Sequence, residues 1–377
     1  MAGTNGRSLR NRAGWRRLGV FWLSVLALTG VGGGVLQWLG PPPAREAGMV
    51  PVTTPGVPAT AARAAIRPVD DLGAILLAAK SGQVAPAVAG RDTPGPVTDP
   101  DPGLLEPAAE GSTLNLPRIA SDGRLAMKVY AAGFDHSSRR PRVGLLLAGI
   151  GLNEAESDAA IRALPGAVSL AVSPYATNVS RLLATARTAG HEFLISLPLE
   201  PAGFPLNDPG PHALLTAASL TDNLRSLNWA LSRIEGYVGA VGVIGTMRGE
   251  RLAAMPDQMD MVLSELAGRG LLYIDPREQR APVARAWGRH VELVIDDPAD
   301  RDVADRGMID ARLTVLEQMA KDTGSALGLV LRPTPLAVQR IAAWSNGLAA
   351  RGLALAPVSA MVMPPAGGPV KLTEREP

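Results

Sequence analysis

Short apolar runs recur along the second half of the chain, at Val143–Leu147, Val168–Val172, Glu192–Leu197, Ala240–Ile244, Leu271–Ile274, Val291–Ile295, Ala326–Leu331 and Leu353–Val358. They are continuous rather than alternating, as expected of strands buried on both faces of a parallel sheet. Amphipathic stretches separate them. Leu224, Leu227, Leu231 and Ile234 recur at helical spacing behind Ser219-x-x-Asp222, which reads as a helix start. Gly190, Gly270, Gly324 and Gly352 each fall between such a stretch and the next strand, where a left-handed C-cap is useful. Repeated βα-like units from Pro141 to Met361 predict an α/β fold, a distorted parallel barrel of seven or eight strands. A doubly wound open sheet shares this periodicity and is the alternative.

The first half of the chain follows other patterns. Leu18 to Gly40 carries no charge, and its 23 residues suffice to cross about 30 Å of hydrocarbon as a helix. Trp15, Trp22 and Trp38 lie near its ends, and Arg7, Arg10, Arg12, Arg16 and Arg17 precede it. We therefore expect residues 1–17 to be a basic cytoplasmic end and 18–40 an uncleaved single-pass anchor in a bacterial inner membrane, with the rest exported to the periplasm. A cleaved signal peptide is the competing reading, opposed by the absence of a small-x-small site at Gln37 to Pro41. Residues 41–112 hold thirteen prolines and no aromatic residue, the composition of a disordered tether. Residues 113–140 regain apolar positions and should dock on the barrel domain, 141–363; residues 364–377 read as a disordered tail.

Composition narrows the chemistry. Apolar residues make up 46 % of the chain and charged residues 19 %, which excludes a wholly disordered protein. No cysteine is present, so disulfides, iron–sulfur clusters and a cysteine nucleophile are excluded. Only four histidines occur. The net charge of +2 conceals an uneven distribution. Once the five N-terminal arginines are set aside, 32 basic residues face 35 acidic ones. With few aromatics to stack bases, nucleic-acid binding has no support. Gly149-Ile150-Gly151 follows a strand, but Glu154 stands where a dinucleotide fingerprint needs its third glycine, and an acid there opposes a pyrophosphate.

In a barrel the strand C-termini and the loops after them form the functional face. Those positions hold Ala148-Gly149, Pro174-Tyr175, Ser196 to Glu200, Thr246-Met247-Arg248, Asp275-Pro276-Arg277, Asp296-Asp297, Arg332-Pro333 and Ser359. Together with Ala163-Leu164-Pro165, Gly190-His191-Glu192, Leu197 to Pro201, Gly239 to Met247 and Leu355 to Ser359, this order resembles the divergent polysaccharide deacetylase family, relatives of the chitooligosaccharide and peptidoglycan deacetylases. The resemblance implies a distorted barrel in which a divalent metal activates water against an acetamide. It also implies two aspartates at the end of the first strand, where Ala148 and Gly149 stand here, and histidines at the positions of Ser196, Thr246 and Arg332. Those replacements remove the implied ligands, so we expect no metal and no other cofactor. The histidines present do not replace them. His136 precedes the repeat, His191 and His290 are expected before strands at the opposite end, and His212 is expected to be a solvated loop residue.

Acids remain on the predicted face. Glu200, Asp275 and Asp296, with Arg248, Arg277 and Arg332, form a candidate ligand-binding mouth. A sharper and less favoured version makes two of the carboxylates a glycosidase pair, which needs separations of about 5–5.5 Å or 6.5–9.5 Å. The competing reading is that they cap loops and neutralise one another in ion pairs, and it is preferred for Asp297. The expected function is a membrane-anchored family member linked to cell-envelope glycan metabolism, acting by binding a glycan or a periplasmic protein. The alternatives are an active deacetylase or hydrolase with relocated carboxylates, and an envelope scaffold.

Overall fold

The computed structural model describes residues 92–278, 283, 285–297 and 305–365. The expected anchor, most of the expected tether and nearly all of the C-terminal tail lie outside these residues. No helix among the described residues is long and apolar enough to cross a membrane.

Seven parallel strand positions form a nearly closed barrel. In chain order the strands are β3 (Arg142–Ile150), β4 (Ser169–Val172), β5 (Phe193–Ser196), β6 (Gly239–Val241), β7 (Leu272–Glu278), β8 (Gly288–Val291), β9 (Leu293–Val294) and β10 (Ser325–Val330). The neighbour order is β8-β7-β6-β5-β4-β3-β10-β9. Only Glu292 separates β8 from β9, so one continuous stretch pairs with β7 on one side and β10 on the other. That turn of pairing brings the two ends of the sheet together. The apolar runs are continuous because both sheet faces are covered: Leu145, Leu146, Leu147, Leu170 and Val172 are all fully buried. The eighth run contributes only the two-residue β11 (Ala354–Leu355), which pairs with the start of β3 rather than completing the barrel.

The helices end where local chemistry predicts. Ser219 caps α4 (Leu220–Leu231) by accepting from the Asp222 amide, a contact worth about 1 kcal/mol. Asn153 does the same for α2 (Glu154–Ala163), whose Asp158 pairs with Arg162 one turn on and with Arg181 of α3 (Val179–Thr188). Asp305 caps α7 (Arg306–Thr323), Gly324 closes it at φ +84°, and Thr334 caps α8 (Pro335–Ser345).

The segment before the barrel is built in earlier than residue 113. The Val97 amide donates to the Arg187 carbonyl (2.9 Å), and Val97 is buried. β1 (Leu105–Pro107) and β2 (Asn115–Pro117) form an antiparallel pair, with Leu104 fully buried beside them. Arg269 fixes the pair by reaching Glu106 (2.7 Å) and the Pro117 carbonyl (2.9 Å). After α1 (Ala126–Val129), the Ala132 amide donates to buried Glu192, which also accepts from Ser169 and from the amide and hydroxyl of Ser359. One buried carboxylate thus ties the leading segment and the C-terminal strap to the N-terminal end of β4 and β5. Within the proline-rich residues 92–112, Val97 and Leu104 supply the buried anchors and the Asp101 amide donates to buried Tyr130 Oη (2.9 Å), contacts that bulk composition does not register.

Two expected positions change. Ser359 bonds Glu192 at the N-terminal ends of the strands, so it is not on the functional face. His290 does not precede its strand. β8 begins at Gly288 and places His290 in register with Asp275.

Candidate functional site

At the end of β3, Ala148 is fully buried and Gly149 adopts φ +78°, where the pairing with β4 shifts register. A Cβ at Gly149 would lie 3.2 Å from Pro333 Cδ, 3.3 Å from the Leu331 carbonyl oxygen and 3.8 Å from Arg332 Cα. The ends of β3 and β10 therefore abut, and Gly149 and Arg332 are neighbours across this contact. Ser196 is buried at the end of β5, whereas Thr246 is exposed in a tight turn closed by Ile244 and Met247.

The candidate acids are each engaged by the protein. Glu200 is 2 % exposed and accepts from the Thr216 amide (2.5 Å) and hydroxyl (2.9 Å), with Arg251 Nε at 3.1 Å. Asp275 is 3 % exposed and receives the Arg277 guanidinium through both oxygens, at 2.9 Å and 2.5 Å, as well as the Arg277 amide. Hydrogen bonding to Asp275 raises the Arg277 pKa above its ordinary value. Asp296 accepts from the Leu331 amide (2.6 Å) and the Arg332 amide (3.1 Å). Burial pushes its carboxyl above the usual range, against the opposing pull of those two bonds. Among the described residues, no hydrogen bond or ion pair joins Glu200, Asp275 and Asp296 to one another.

The arginines differ in how far they are engaged. Arg277 is tied to Asp275 and to the Ala253 carbonyl. Arg248 has Glu250 at 3.6 Å and Asp297 at 3.7 Å, both beyond a good hydrogen bond. Arg332 is exposed, and its guanidinium forms no ion pair among the described residues.

Two features were not visible in the sequence. His290 Nδ1 lies 3.4 Å from Asp275 Oδ2, yet among the described residues it is buried without a hydrogen-bond partner, as is Tyr273 Oη. Burial lowers the His290 pKa, opposed by the Asp275 charge, and pushes the Tyr273 phenol well up. Only strand register could reveal this grouping. His212 is not a solvated loop residue. Its ring stacks on Trp229 at 3.7 Å, and its amide donates to Tyr175 Oη (3.3 Å).

The metal implied by the resemblance does not fit. Alanine and glycine offer no ligating atom at Ala148 and Gly149, and the backbone at Gly149 opposes a side chain there. No group of three His, Asp or Glu side chains among the described residues is arranged to hold a metal ion.

The sequence model described as divergent polysaccharide deacetylase matches residues 145–362. The chain belongs to the divergent polysaccharide deacetylase family. It is 28 % identical to an uncharacterised protein of Agrobacterium tumefaciens C58 of known structure, with a TM-score of 0.60, covering 66 % of this chain and 100 % of the other. An uncharacterised Haemophilus influenzae protein is 26 % identical over 194 residues, 48 % of this chain and 64 % of the relative's own length. The catalytic domain of a peptidoglycan N-acetylglucosamine deacetylase from Eubacterium rectale is a far more distant likeness, at 10 % identity and a TM-score of 0.40, over 58 % and 88 % of the two chains. This member of the divergent polysaccharide deacetylase family keeps the parallel barrel, in a family linked to carbohydrate processing.

Proposed function

We propose that this chain is a membrane-anchored, exported member of the divergent polysaccharide deacetylase family that binds a cell-envelope glycan at the barrel mouth and does not deacetylate through a metal. The observation that carries this reading is the end of β3. Ala148 and Gly149 lack donors, and the positive φ of Gly149 and its contacts with Pro333 and Leu331 oppose a returning carboxylate. Relocated catalysis is less well supported, because Glu200, Asp275 and Asp296 all spend their oxygens on protein donors. A general base needs a free lone pair facing the substrate.

Metal analysis of the purified full-length chain, alongside binding to soluble envelope-type oligosaccharides, tests the proposal. It predicts saccharide binding without a stoichiometric divalent ion. One tightly held equivalent of zinc, or turnover of an acetylated sugar that a chelator abolishes, would overturn it. A stoichiometric protein cross-link in cells, with no saccharide bound, would favour the scaffold instead.

A further inference from the structure

The three candidate acids of the mouth are held by protein donors, while two of its guanidiniums are held loosely or not at all among the described residues. Both oxygens of Asp296 take backbone amides, Asp275 is clasped by Arg277, and Glu200 is held by Thr216 and Arg251. All three acids are nearly inaccessible. Two guanidiniums remain. Arg332 is exposed with no ion pair among the described residues, and Arg248 has only long contacts to Glu250 and Asp297. Each belongs to a residue that touches one of two adjacent acids. Asp296 holds the Arg332 amide, and the adjacent Asp297 lies 3.7 Å from Arg248. Gly149 stands beside the Arg332 Cα and carries no side chain that could pair with it.

A neutral sugar hydroxyl both donates and accepts, and it is best held where a site offers acceptors as well as donors. An oxyanion asks only for donors, and a guanidinium supplies them in a planar fork. We propose that Arg332 and Arg248 form an anion-binding subsite, so that the glycan taken at this mouth is acidic, bearing carboxylate or phosphate groups on its sugars. This rests on the glycan-binding reading and specifies its ligand class.

The test is calorimetric titration of the full-length chain with three probes: a galacturonate hexamer, its fully methyl-esterified neutral counterpart, and a polyphosphate of similar length. The acidic hexamer should bind, and binding should weaken as salt is raised. Losing one charge-assisted contact in R332Q should raise its Kd about tenfold, and R332Q/R248Q should raise it further. R225Q, on an exposed α4 position already paired with Asp222, should bind as the wild type does. Equal binding of the acidic and neutral hexamers, or wild-type affinity in the double variant, would overturn the anion subsite and leave glycan binding standing. Failure of every saccharide and of polyphosphate would overturn both. Polyphosphate binding that R332Q weakens, with no binding of the hexamer, supports the subsite and assigns it to phosphate. Melting temperatures of the variants, both altered at accessible side chains, confirm that a loss of binding is not a loss of fold.

Discussion

Gly149→Ala puts the central structural claim under direct stress. At φ +78° an L residue pays for the left-handed conformation, about 1–2 kcal/mol. The new methyl would also sit 3.2 Å from Pro333 Cδ and 3.3 Å from the Leu331 carbonyl oxygen. Neither neighbour is a flexible side-chain end, and the Leu331 amide is held by Asp296, so overpacking adds about 1 kcal/mol. The total is about 2–3 kcal/mol, which for a barrel of this size lowers Tm by roughly 4–10 °C. Gly324→Ala separates the two contributions. Gly324 has a similar φ of +84° with nothing within 4 Å of a built Cβ, so it should show the conformational cost alone. Gly149→Asp should lose at least as much as Gly149→Ala, because its carboxylate would approach the Leu331 carbonyl. Thermal melts of the three variants, with and without zinc, provide the measurement. The reasoning is refuted if G149A melts no lower than G324A, or if zinc restores several degrees to G149D.

Two further outcomes follow from the packing. Burial raises the Asp296 pKa above its ordinary value of 3.8, so folding favours its protonated form. Its contribution is therefore fully present below 3.8 and is lost as pH rises through the raised value. Titrating Tm against pH should show Asp296→Asn gaining on the wild type from acid to neutral pH; a difference that stays flat would contradict the raised pKa. Leu104→Ala removes a fully buried side chain from the segment ahead of the barrel and should cost about 2–5 kcal/mol in urea unfolding. An unchanged midpoint would mean that this segment is a tether after all.

Much of the barrel was legible before any coordinates. The apolar runs, the Ser219 helix start and the C-capping glycines are local signals, each set by neighbours within a turn or a strand length; the Ser219 start and the positive φ of Gly190, Gly270, Gly324 and Gly352 appear where expected, and most of the runs form barrel strands. The family resemblance, and the identities of Ala148, Gly149, Ser196, Thr246 and Arg332 where it implies acids and histidines, were equally readable, because a missing donor atom is a property of the residue itself. What the sequence could not supply was pairing between distant segments. The start of β8 at Gly288 turns His290 from a residue below the sheet into the partner of Asp275, a shift of a few residues that no periodicity resolves in so short a run. Ser359 goes to the far end because β11 joins the start of β3.

The same division explains the site. The sequence by itself determined which side chains stand at the strand ends and which donors are absent there. Only the tertiary structure decided which of them stay free: Asp275, Asp296 and Glu200 are consumed by Arg277, two backbone amides and Thr216, while Arg332 is left facing solvent beside a glycine. Residue identity fixes what a side chain can bind, but barrel closure and strand register, set by contacts far apart in the chain, fix what it has already bound.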